Sequence, residues 1–299
     1  MGKYIGINLR DKISESELIL NSDGSVYHIR LLPEHVADDV IVVGDPARVE
    51  LISSKFDRVD FKIYNREFIT HTGSFNNKRI TVIATGIGTD NIDIVLNELD
   101  AAVNIDLQTR QIKEQKRSLN IIRIGTSGAL QADIPVDSFV VSSYGLGFDG
   151  LLHFYAGWEN INEKEITQAF IDHSKWKAEC ASPYVIKGSE VLINKLGKGI
   201  RKGITATACG FYAPQGRKLR AGLSMPQMNE LLTTFNHKQL QITNFEMETS
   251  ALYGLGTLLG HNTCTVCAII ANRIIKEYSR DYKLAVDKLI DHVLEKLTS

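Results

Sequence analysis

Residues 121–128 read Ile-Ile-Arg-Ile-Gly-Thr-Ser-Gly, and this stretch constrains the fold more than any other. Ile121, Ile122 and Ile124 are β-branched and suit a covered, pleated surface, so a buried strand is expected there. Gly125 and Gly128 free the backbone. The strand is therefore expected to give way at 125–128 to a Gly-Thr-Ser-Gly turn that offers hydroxyls and backbone N–H groups. Arg123 inside such a strand is costly unless a negative group meets it. Two readings stay open. Arg123 pairs with an internal carboxylate, or it holds an anionic ligand at the carboxyl end of a central strand, where α/β sheets bind ligands.

The remainder of the chain supplies the elements such a sheet needs. Residues 39–43 read as a strand that ends in Gly44-Asp45-Pro46-Ala47-Arg48, with Asp45 as N-cap and Pro46 as first residue of a helix to about 54. Residues 61–72 and 79–84 read as strands, the second entered by a turn at Asn76-Asn77. The second strand stops in Thr85-Gly86-Ile87-Gly88, and a helix follows to 99 or 104. Further strands are expected at 137–143, 203–208 and 263–271, the last of the chain. Helices are expected at 164–177, 189–196, 246–259 and 279–297, with irregular chain joining the first two. Alternating strands and helices with Gly-rich strand ends mean α/β, in a single domain because no Pro/Gly/Ser-rich linker divides the 299 residues. Residues 1–25 read as a polar surface extension of a domain spanning 26–299, and about 105–119 as a polar insertion.

Composition excludes several functions. Lys and Arg total 34 against 35 Asp and Glu, without long like-charge blocks, which speaks against a nucleic-acid or membrane surface. No apolar run reaches transmembrane length, and the N-terminus has no apolar signal core, so a cytoplasmic location is expected. Cys264 and Cys267 form a C-x-x-C, but without a second pair at zinc spacing they read as buried structural thiols and no metal is expected. Gly86-Ile87-Gly88 has Asn91 where a dinucleotide fingerprint needs its third Gly, and Gly125–Gly128 lacks the spacing of a hydrolase elbow.

Three residue sets remain. Arg48, Arg66 and Arg123 sit beside turns, and guanidinium forks match phosphate or carboxylate oxygens. Phe211, Gln215 and Arg217 combine a stacking face with donors and an acceptor, which suits the edge of a planar heterocycle, or they belong to a plain surface loop. Glu246 and Glu248 favour a helix start through its dipole, or clamp a vicinal diol.

Taken together, these segments resemble the nucleoside phosphorylase family in its uridine phosphorylase branch. The matching pieces, in family order, are Gly44–Arg48, Arg66–Phe68, Thr85–Gly88, Arg123–Gly128, Phe211–Arg217, Phe245–Glu248 and Ile270–Arg273. The resemblance implies a central mixed sheet partly closed into a barrel and flanked by helices. It implies a pentosyltransferase that splits uridine, and deoxyuridine or thymidine, with inorganic phosphate into free base and ribose 1-phosphate in pyrimidine salvage or catabolism. Gly44, Arg48, Arg66, Arg123 and Thr126 match the phosphate site, with Arg66 reaching it from a neighbouring subunit. Phe211, Gln215, Arg217, Ile270 and Arg273 match the base site. His28, Glu246, Met247 and Glu248 match the ribose site, with His28 crossing the interface. Arg123, Arg217 and Glu248 carry the catalytic roles, and the shared site implies at least a homodimer, with no cofactor beyond phosphate as co-substrate. The family's potassium site at the dimer interface matches Glu67 and Ile87, but Asn91 stands where the family often has Ser, which speaks against a bound potassium ion. Rival readings are a purine nucleoside phosphorylase or a nucleosidase of the same fold, and a non-catalytic nucleoside-binding or storage protein.

Overall fold

The computed structural model describes residues 12–299. In chain order the first half runs β1 (Asp39–Val43), α1 (Ala47–Ser53), β2 (Arg58–Asn65), β3 (Phe68–Phe75), β4 (Lys78–Ala84), α2 (Thr89–Asn104), β5 (Ile105–Asp106), β6 (Gln111–Ile112) and β7 (Asn120–Ala129). The second half runs β8 (Phe139–Gly147), α3 (Trp158–Ile161), α4 (Lys164–Ser174), β9 (Tyr184–Lys187), α5 (Glu190–Leu196) and β10 (Arg201–Thr207), then α6 (Met228–Thr234), β11 (Asn236–His237), β12 (Leu240–Glu246), α7 (Thr249–Leu259), β13 (Asn262–Asn272), β14 (Glu277–Tyr278) and α8 (Tyr282–Thr298).

One mixed sheet runs β11-β12-β10-β8-β13-β7-β1-β4-β3-β2. Strand β12 also pairs back onto β7, so β7, β12, β10, β8 and β13 close into a barrel while β1 to β4 extend as an open wing. Closure removes the free edges that β7 and β12 would otherwise present. β1 is parallel to both β4 and β7, and β7 is parallel to β13, so these four strands end on one side.

Side-chain alternation divides the core between the two faces of the sheet. Val40, Val42 and Ile121 pack with α2 and α7, whereas Ile41, Val43, Ile122 and Ile124 pack with α1 and α8. Helix α2 buries Ile92, Val95, Leu96, Leu99, Ala102 and Val103 at helical spacing, and α8 does the same with Val286, Leu289, Ile290, Val293, Leu294 and Leu297. Cys264 faces the α8 side, and Cys267, three residues on, faces the other. Both are buried free thiols pushed up by burial, to about 12 and about 11, so the C-x-x-C is structural as expected.

The structure corrects several local expectations. Residues 61–72 form a hairpin rather than one strand, because Arg66 adopts φ 54° and turns β2 into β3. Helix α4 stops at Ser174, where Lys175 enters the left-handed region at φ 48°, and β9 occupies part of the chain expected to be irregular. Glu246 ends a strand; the helix begins three residues later. The short β14 follows the strand expected to be last. Within 105–119, β5 and β6 form a small hairpin and Leu119 is fully buried. The surface extension is only part right: 12–17 lie largely on the surface, Leu18 is buried in the core, and 1–11 lie outside the described residues.

The largest correction concerns 125–128, which continue as strand to Ala129. Gly125 is there for room, not for turning. A Cβ on it would lie 2.1 Å from Nη1 of Arg123 and 2.8 Å from Sγ of Cys267. Residues 123 and 125 share one face of the strand, so the Arg123 side chain folds over its neighbour's missing side chain. Gly125→Ala therefore forces Arg123 or Cys267 to move and is expected to cost roughly 1–3 kcal/mol, as overpacking of a core does. Urea unfolding measures it; wild-type stability in the variant would mean that Arg123 has slack.

Candidate active site

The strands that end together supply the first half of the site. Gly44 follows β1, and its Cβ position would lie 3.3 Å from the Gly86 carbonyl, so the two loops touch backbone to backbone. Asp45 Oδ1 accepts from the Ala47 N–H at 3.0 Å and fixes the start of α1, which carries Arg48. No carboxylate among the described residues lies within ion-pair distance of Arg48; burial and the nearby positive Arg123 both weaken its hold on its proton. Thr126 is half-buried in β7, beside Ala268 of β13.

Arg123 is nearly inaccessible and meets two carboxylates. Its Nη2 donates to Glu248 Oε2, and Nη1 lies 3.2 Å from Glu246 Oε2. Nη1 also lies 3.7 Å from Cys267 Sγ, while Nε is buried without a partner. Burial disfavours the Arg123 charge, but Glu248 and Glu246 outweigh burial and the guanidinium holds its proton more tightly than usual. The pairing left open from the sequence is thus present, and the carboxylates come from the segment expected to clamp a diol.

Each carboxylate is oriented by other groups. Glu246 accepts from Thr207 Oγ1 at 2.7 Å and from the N–H groups of Glu248 and Thr249 at 2.9 and 3.0 Å. It therefore caps α7 from the end of β12. Burial pushes its carboxyl up to about 7, against the pull of Arg123. Glu248 accepts from the Gly88 N–H at 2.9 Å through Oε1, so it ties α7 to the loop after β4. Gly88 stands at φ 101°, a backbone state that a side chain rarely adopts. Met247 is half-buried between the two carboxylates in sequence.

The base-side residues form a second group on irregular chain. Gln215 is buried, and its Oε1 accepts from Arg217 Nη1 at 2.5 Å. The same Nη1 donates to the Phe211 carbonyl at 2.7 Å, and the Arg217 guanidinium lies 3.8 Å from the centre of the half-exposed Phe211 ring. Arg273 is close enough to Arg217 to lower its hold on a proton, after burial, and burial acts likewise on Arg273. Ile270 is half-buried near the end of β13.

His28 and Arg66 form a third group with no contact to Arg123. His28 Nδ1 lies 2.6 Å from Glu98 Oε1, and Asn65 donates to the His28 carbonyl at 2.7 Å. Arg66 is exposed and lies 5.4 Å from the centre of the Tyr27 ring. A groove of about 280 Å³ opens beside them, lined by Tyr27, His28, Glu98, Ile13 and Leu18 among others. Glu67, which matches a potassium ligand, and Asn91, which stands in place of the Ser, flank Gly86, and no cluster of three metal-ligating side chains occurs among the described residues.

Thr207, the Gly88 N–H and Cys267 were not legible as site residues. Thr207 had a signal, a hydroxyl at the end of a strand; the other two acquire their roles only through partners far away in sequence.

Residues 38–297 match the family described as the phosphorylase superfamily. A uridine phosphorylase of Thermococcus kodakarensis is 30% identical over 278 residues, which cover 90% of this chain and 86% of that protein. A DeoD-type purine nucleoside phosphorylase of Colwellia psychrerythraea is 26% identical over 243 residues, covering 81% and 85%. Among solved structures, a nucleoside phosphorylase of Trypanosoma brucei with uridine phosphorylase activity superposes with a TM-score of 0.84 at 28% identity, over 94% of this chain and 99% of that one. The closed five-strand barrel and the open wing thus have their counterpart in a known family, and the chain belongs to the phosphorylase superfamily, among its nucleoside phosphorylases.

Proposed function

We propose that the protein catalyses reversible phosphorolysis of uridine, and of deoxyuridine or thymidine, yielding the free base and the pentose 1-phosphate. The observation that carries the pyrimidine reading is the Gln215–Arg217 pair at the Phe211 ring. Gln215 supplies donor and acceptor, Arg217 supplies donors only, and a base with two carbonyl oxygens and a ring N–H answers both. A purine leaving group asks for an acid at its N7. Asn272, beside the base group, donates to the carbonyls of Gln131 and Ile134 and accepts from the N–H of Ile274, so it is fully engaged in holding the chain.

Phosphate is a weak nucleophile in water and needs orientation against C1′. Arg48, which no carboxylate among the described residues meets within ion-pair distance, and Arg123, with Nε unpaired, are the cations for it, with Gly44 and Thr126 beside them. As the glycosidic bond lengthens, the ribosyl group gains positive charge. Glu248 and Glu246 then accept from its hydroxyls and oppose that charge, and Arg217 stabilises the negative charge gathering on the base. Phosphate must share Arg123 with Glu248 or displace it, which sets a competition between the anion and the diol clamp.

The separation of His28 and Arg66 from Arg123 supports a site completed by a second copy of the chain. The four free cysteines fit a reducing, cytoplasmic compartment.

The first test follows uracil release from uridine with and without inorganic phosphate. Release only with phosphate is expected; release without it would sink phosphorolysis, turnover of inosine alone would sink the pyrimidine assignment, and no turnover would favour a storage protein. A second test uses sulfate, which does not titrate near neutrality. Above about 7 Glu246 ionises and a second carboxylate opposes an anion at Arg123. Sulfate inhibition should therefore weaken as pH rises through that value and flatten in Glu246→Gln; a pH-independent wild type would remove Glu246 from the anion site. In a third, inactive Arg66→Ala and Arg217→Ala subunits are mixed under conditions of exchange. Partial recovery of activity is expected, since each mixed dimer holds one intact site, and no recovery despite demonstrated exchange would count against sharing.

A further inference from the structure

Asn229, on α6, touches both segments of the base group, and no role in the site has been given to it. With its amide oxygen turned toward Arg273 it accepts from Nη2 at 3.0 Å, and its nitrogen then donates to the Gln215 backbone carbonyl at 3.3 Å. It also lies over the turn that follows: a Cβ on Gly216 would come 2.7 Å from the Asn229 side-chain amide. Gly216 itself has φ 66°, so this turn both needs a glycine and lies against Asn229. Arg273 meanwhile keeps Nη1 buried with no partner. A buried guanidinium N–H without an acceptor is costly and calls for an explanation. Fixing Nη2 on Asn229 sets the plane of the guanidinium and hence the direction of the unpaired Nη1. Arg217 feels the charge of Arg273, so the two guanidiniums lie near one another.

We propose that Asn229 is a positioning residue for base recognition: it locks the Gln215–Arg217 turn to Arg273 and holds Arg273 Nη1 ready for an acceptor atom of the base. This rests on the nucleoside reading above and adds to it a side chain outside the matched motifs. Two like charges side by side repel. A neutral amide can hold both segments without cancelling either charge, whereas a carboxylate at 229 would neutralise Arg273 just where the leaving base gathers negative charge.

The test is a double-mutant cycle on wild type, Asn229→Ala, Arg273→Ala and the double variant, varying uridine and inorganic phosphate separately. Asn229→Ala is expected to raise KM for uridine about tenfold while KM for phosphate stays within about twofold, since a positioning loss acts on one substrate only. In the Arg273→Ala background the same change should add less than about twofold, because residues acting through one another are non-additive. Additive effects, an unchanged uridine KM, or equal changes for both substrates would overturn the proposal. Asn229 is only half-buried, and matched thermal unfolding of the four proteins excludes a loss of fold as the cause. If the wild type cleaves inosine and not uridine, the pyrimidine reading fails, and the same cycle on inosine decides Asn229 by the same criteria. If it cleaves neither, phosphorolysis fails, and the cycle is run on dissociation constants for uracil; additivity there, or no binding, overturns the proposal.

Discussion

The contact on which the site depends is the buried ion cluster of Arg123 with Glu246 and Glu248. Taking three charges out of water is expensive, and the arrangement holds only because nearly every lone pair is met. Thr207, two helix-start N–H groups and the Gly88 N–H do this. In consequence one cluster joins the interior of β7, the ends of β10 and β12, the start of α7 and the loop after β4. On the proposed reading, those are the places where phosphate and sugar come together. The same contacts that hold the fold at this point also fix the spacing of its chemistry.

The cluster also explains which features the sequence made legible. Strand β1, the Asp45 cap and the two-residue turn at Asn76-Asn77 followed from local rules, because each depends on neighbours in the chain. Gly125 misled because a glycine reads locally as freedom to turn, whereas its reason here is the Arg123 side chain that lies over it. Glu246 misled in the same way. An acidic residue before an apolar periodic run reads as the first turn of a helix, yet it stands at a strand end and caps the helix from outside. The Arg66 turn escaped because Arg is a rare choice at positive φ and carries no turn signal. Composition and spacing therefore gave the α/β alternation, and the resemblance of ordered motifs gave the partly closed barrel and the site that is proposed. What neither gave were contacts between residues more than a hundred positions apart, such as Gly88 with Glu248.

The two halves of the site differ in how they are built, and that difference bears on specificity. On the proposed reading, the phosphate and sugar residues sit on β7, at the ends of β1 and β12 and at the start of α7, with charges paired in the interior. The base group sits on a loop after β10, on α6 and on the turn after β13, with Phe211, Tyr212 and Leu219 exposed. Chain held mainly by side-chain contacts can be altered without disturbing the sheet. A family whose members act on uridine and on purine nucleosides would be expected to vary there and to keep the strand ends. The relatives of this chain include both kinds, at 30% and 26% identity, so the overall fold does not choose between them.

That choice therefore falls to a few donors and acceptors around the base. Arg217 lies over Phe211 and bonds to Gln215, so all three residues already face one another. A planar base that stacks on Phe211 must take the place of the guanidinium, and it does so only if its edge replaces the hydrogen bond between Gln215 and Arg217. A carbonyl beside a ring N–H offers that replacement, an acceptor for Arg217 and a donor for Gln215, whereas an amino group in place of the carbonyl would set donor against donor. On the proposed reading, discrimination arises less from the shape of a cavity than from the cost of breaking a satisfied polar pair without an equivalent in return.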